Sequence, residues 1–152
     1  MLRFTILAST FPMALIAMFA RGGIASSAPC IATGGITVQM AQAPWQAQAH
    51  VAFTDDPAQA SVRVQIVDRA ETADFAVIDD VESAESGACT ATAATRFIGI
   101  AATPSGAEPV IYLTDSARAD YRIYVHSRSF TPRNAAALIV GAHRDQRRLA
   151  AL

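Results

Sequence analysis

The chain has 152 residues and a formal charge of −1; 52% of it is hydrophobic and only 16% charged, and beside 33 alanines and twelve arginines there is no lysine. That absence excludes Schiff-base catalysis by lysine, a Walker-type phosphate loop and a kinase-like lysine–glutamate pair, all of which need the amine. The near-neutral charge, with arginines scattered from Arg3 to Arg148, argues against nucleic acid as a partner, and the length suits one domain with a real core.

Met1-Leu2-Arg3 precedes the uncharged run Phe4 to Ala20, which Arg21 closes. A short basic start before an apolar run is an export signal. The run also reaches the lower bound of a membrane span, although Pro12 interrupts it. Residues 1–25 therefore read either as a signal peptide, cleaved after Ala25, or as a retained anchor that makes the membrane a partner. A buried N-terminal helix is the remaining alternative. Export places the domain in the periplasm, free or tethered to the inner membrane. Losing Arg3 and Arg21 leaves ten arginines against thirteen acidic residues, a charge of −3. Cys30 and Cys89 both stay, and an even pair in an oxidising compartment reads first as a disulfide. The other options are two unpaired buried cysteines or a thiol site, which no Cys-x-x-Cys supports.

Residues 26–48 read as a linker with one strand, Ile36–Met40, and the only tryptophan, Trp45. Residues 49–131 repeat themselves. Three segments align: DPAQASVRVQIVD at 56–68, DRAETADFAVIDD at 68–80 and DSARADYRIYVHS at 115–127. Each opens with Asp, spaces two alanines over a connector, places Ser or Asp, and enters an alternating apolar stretch. Val62, Val64 and Ile66 alternate with Arg63 and Gln65, and Tyr121, Ile123 and Val125 with Arg122 and Tyr124. A period of two marks half-buried strands. The opening Asp is expected to cap its turn by accepting backbone N–H groups one or two residues on. A unit of about twelve residues leaves no room for a crossover helix, which excludes a doubly wound sheet. Weaker strands are expected at 51–54, 96–101 and 110–114, with loops at 81–95 and 101–108. Residues 132–152 form a C-terminal helix and basic tail: Thr131-Pro132 is a helix start, and Gly141 marks a possible end. The fold class is mainly β, short tandem strand-turn repeats closed by one helix.

Tandem units of the form apolar strand, Asp-x-x-x-Ala-Asp, apolar strand resemble the septoil-knot domain family. The likeness spans roughly residues 50–130 and is best in TADFAVIDD (72–80) and RADYRIYVHS (118–127). The resemblance implies a small β-rich bacterial protein whose chain is threaded into a seven-crossing knot. It implies no catalytic residue.

The three histidines, His50, His126 and His143, lack zinc-ligand spacing. His126 and Ser127, with Asp115 or Asp120, supply the ingredients of a Ser–His–Asp set, but no Gly-x-Ser-x-Gly elbow exposes a serine. The acidic turns Asp55-Asp56 and Asp79-Asp80-Glu82 have the oxygens for calcium and lack the spacing of an EF-hand loop. No pattern calls for a cofactor. Tyr121, Arg122, Tyr124 and His126 form the candidate interaction surface, because aromatic and arginine side chains concentrate at protein interfaces. The expected function is a non-enzymatic structural or interaction module of the bacterial cell envelope, with an envelope protein as partner. The alternative is a periplasmic ligand- or metal-binding protein that uses the acidic turns.

Overall fold

Valine stands at positions 38, 51, 64 and 77, thirteen residues apart, and each is buried at the centre of a strand. The computed structural model describes residues 30–33, 35–78 and 91–149. The four valines belong to β2 (Ile36–Met40), β3 (Ala49–Phe53), β4 (Val62–Val67) and β5 (Phe75–Ile78). Ahead of them β1 (Cys30–Thr33) pairs antiparallel with β2 around a tight turn in which Gly35 takes φ +82°, a backbone state that a side chain disfavours. A second series follows: β6 (Thr95–Ala101), β7 (Val110–Thr114) and β8 (Tyr121–His126). Its centres, Ile98, Ile111 and Ile123, are fully buried. The repeat expected from the alternation is thus real, mainly β, and closed by helix α1 (Pro132–Leu149).

The strand order is β1-β2-β6-β3-β7-β4-β8-β5, so the second series slots between members of the first. Every pairing except β1–β2 is parallel. Parallel strands normally need long crossovers, whereas these connectors are short. Stagger removes the difficulty. Phe53 ends β3 opposite Ile111, and Val62 starts β4 opposite the same Ile111 on its other side. Met40 and Ala49 flank Ile98 in the same way. Each connector therefore steps across one intervening strand, about 10 Å at the usual sheet spacing, without returning along it. Six residues reach about 20 Å, so even the Asp115–Asp120 connector has slack.

At four entries the residue just before the strand extends the ladder by one rung. Asp74 donates its N–H to the Arg122 carbonyl (2.7 Å) and accepts the Arg122 N–H on Oδ2 (2.7 Å). Asp120 does the same with Arg63 (2.8 and 2.7 Å), and Ser61 with Val110 (2.9 and 2.9 Å). Gln48 completes the set with Phe97. A side-chain acceptor satisfies the neighbour's N–H where the new strand's backbone has not yet arrived. The opening Asp behaves as expected at Asp56, whose Oδ1 accepts the Ala58 N–H at 2.8 Å. At the third repeat that turn is held instead by Thr114 and Ser116, which accept the N–H groups of Ser116 and Arg118.

Between Ala135 and Ala142 the helix is buried on every side, which marks an element threaded through a core. Ala135, Ala136, Ala137 and Ala142 keep it thin, and the sheet wraps around it. The end strands β1 and β5 flank a gap of about 170 Å³ lined by Ile31 and Ala32, by Ala76 to Ile78, and by Phe130, so the barrel is nearly closed. Thr131 caps the helix as expected, its Oγ1 accepting the Asn134 N–H at 3.1 Å. Gly141 does not end it. A Cβ there would lie 2.9 Å from Cγ2 of Ile98, so the glycine marks close helix–strand approach inside α1, which continues to Leu149. In the segment read as a linker with one strand, that strand is present at Ile36–Met40 and a second, Cys30–Thr33, joins the same sheet. The apolar run at 4–20, Cys89 and the acidic residues 79, 80 and 82 lie outside the described residues. Among the described residues no helix is long and apolar enough to cross a membrane, and no cysteine is free.

Candidate functional site

The residues singled out on β8 divide between its two faces. Tyr121 points inward, where its ring lies 6.0 Å from Phe75 and 5.9 Å from His143. His143 meets Phe75 edge-on at 4.8 Å and hydrogen-bonds the Ile139 carbonyl through Nδ1 (3.0 Å), so this cluster plugs one end of the barrel. Tyr121 therefore belongs to the core, and the surface keeps Arg122, Tyr124 and His126.

On the outer face Arg122 reaches across to β5 and pairs with Asp74 at 2.9 Å. The Arg122 side chain and its N–H hold the Asp74 carboxyl below the usual carboxylate range, against slight desolvation. The same pairing raises the Arg122 guanidinium. One step along, the rings of Tyr124 and His126 lie nearly parallel, 5° apart in orientation with centroids 6.2 Å apart. Register then brings in residues that sequence reasoning missed. Ala76 lies opposite Tyr124 and Ile78 opposite His126 on β5, and Ile78 is 59% exposed. Past the strand end, a shallow cavity of about 350 Å³ is lined by Val125, His126, Ser127 and Arg128. The result is a continuous patch: an ion pair, an aromatic pair and an uncovered isoleucine on the last strand of the sheet. The repeat TADFAVIDD marked β5, and its pairing to β8 was the missing step.

The nucleophile set imagined around His126 does not assemble. Ser127 accepts the N–H groups of Ser129 and Phe130 and so shapes the turn into α1. Asp120 caps the opposite end of β8, six residues from His126 and about 20 Å away at the rise of a strand. Asp56 is committed to Ala58 and to the Gln59 side-chain amide (3.1 Å). Among the described residues no three His, Cys, Asp or Glu groups converge to hold a metal ion. Comparison with known protein families, with curated proteins and with solved structures finds no match to this chain.

Proposed function

We propose that this protein is a non-enzymatic interaction module of the bacterial cell envelope, exported by its N-terminal segment and held at the inner membrane where that segment is retained. A protein partner docks on the outer face of β8 and β5. The observation that carries the reading is Ile78, 59% exposed on the sheet's end strand and flanked by His126, Tyr124 and the Arg122–Asp74 pair. Exposed aliphatic area ringed by aromatic and arginine side chains is the composition of an interface centre. Cross-strand pairing alone accounts for Tyr124 and His126 but leaves Ile78 uncovered.

A photo-reactive amino acid placed at Ile78 or at Tyr124 in intact cells tests this. Both positions are expected to crosslink to the same envelope protein, while Trp45, 86% exposed elsewhere, does not. Ile78→Asp, combined with the probe at Tyr124, should abolish the adduct while the protein stays folded. Crosslinking only to itself, or equally from all three positions, would overturn the reading. Calcium and zinc are expected to leave the melting temperature unchanged; a rise with either would favour the acidic turns as a metal site.

A further inference from the structure

We infer a second site, independent of the β8–β5 patch, at the mouth of the barrel where α1 emerges: it binds a small amphiphilic monocarboxylate, head on Arg144 and His50, body in a trough over Gly99. Two cavities meet at His50. One, about 200 Å³, is lined by Gln48, Glu108, Pro109 and Arg144 among others and is polar. The other, about 400 Å³, is apolar, bounded by Ala43 and Pro44 on one side and by Gly99 and Ala101 on β6. Together they have the size of a small-molecule site, a few polar groups beside an apolar body.

Gly99 makes the junction possible. It pairs with His50 across β3 and β6, and a Cβ at this position would lie 2.8 Å from His50 Cδ2 and 2.9 Å from the Ala47 Cβ. Without that carbon the imidazole rests against the strand as a wall shared by both cavities. Arg144 supplies the charge. It is partly buried, lines the polar cavity and also an adjoining cleft of about 260 Å³ beside Ser61 and Tyr121, and among the described residues no carboxylate pairs with it. A partly buried guanidinium that is in no ion pair favours an anion, and its planar fork fits a carboxylate. Glu108 faces the same cavity. Its oxygens accept the Ser105 N–H and hydroxyl, which hold the carboxyl below its usual range and keep it ionised at neutral pH. A fixed negative charge in the cavity that Arg144 lines admits one carboxylate and repels a second, so the site selects a monoanion.

Titration of the purified full-length chain with hexanoate tests this, followed by calorimetry and thermal melting. Saturable binding that raises the melting temperature is expected. Acetate, which lacks the body, hexylamine, which reverses the head, and adipate, which adds a second carboxylate, should each bind at least tenfold more weakly. Arg144→Gln and Gly99→Ala should each weaken hexanoate at least tenfold with the far-ultraviolet circular dichroism unchanged. Should Gly99→Ala lose the fold, His50→Leu reads the same wall. No saturable hexanoate binding, equal binding of hexylamine, or full affinity in Arg144→Gln would overturn the assignment.

Discussion

Asp74 joins β5 to the sheet through one carboxylate that takes both the Arg122 N–H and the Arg122 guanidinium. Because the pair is exposed, solvent screening keeps the ionic share small, and the bond to the strand ladder carries most of the effect. Asp74→Ala should cost about 1 kcal/mol in urea denaturation, and Asp74→Asn, which retains an acceptor oxygen, about half of that. The sign of the pH effect follows from the lowered folded-state value. The unfolded chain binds the proton more tightly, so the contribution is complete above the ordinary carboxylate range and is lost as pH falls through the folded value. The melting-temperature gap between wild type and Asp74→Asn is therefore expected to be widest near neutrality and to close toward pH 3. The Ser or Asp at this position is visible in the repeats; what it does is not, because Asp74 and Arg122 are 48 residues apart.

At the scale of elements, α1 and β6 are fitted to each other through a missing methyl. Alanine is the better helix former by about 1 kcal/mol, yet at Gly141 its Cβ would press on three atoms of Ile98 between 2.9 and 3.2 Å away. Overpacking of this kind costs about 1–3 kcal/mol, so Gly141→Ala is expected to be destabilising on balance. Ile98→Ala, at a fully buried position, should cost about 2–5 kcal/mol. Together they should cost less than their sum by about 1 kcal/mol, because the second removes what the first collides with; chemical denaturation of the four proteins closes the cycle. The start of α1 was legible in Thr131-Pro132, since a cap is a local device. Gly141 was not, because a glycine that ends a helix and one that lets a strand approach look alike until the strand is placed. Apart from β1, the strands were legible in the sequence, the clearest through their period of two, and thirteen-residue spacing of the buried valines fixes the repeat more tightly than the twelve counted from the connectors.

For the molecule as a whole, alternation identifies strands but not their neighbours, and the interleaved order had no local signal. Short connectors even argued against parallel pairing, until stagger let each one step sideways. Interleaving has a kinetic consequence. β6, β7 and β8 each insert between two strands made much earlier in the chain, and such non-local pairing is slow because loop entropy is spent before the contacts form. Cys30 opens β1 at the end of the sheet, and a bridge to Cys89 would close a loop of about sixty residues; reduction is then expected to lower stability by about 4 kcal/mol, read from urea curves with and without reductant. From the resemblance of the repeats we propose something stronger, a knot, which few protein chains contain. Were such a knot to persist in the denatured chain, threading would slow only the first folding. Under reducing conditions, chain newly made by cell-free synthesis should reach protease resistance about tenfold more slowly than the same chain refolded from urea, an expectation that rests on non-local assembly being rate-limiting. Equal rates would mean that the barrel assembles without threading, leaving stagger alone to explain how connectors of six to eight residues build a parallel sheet.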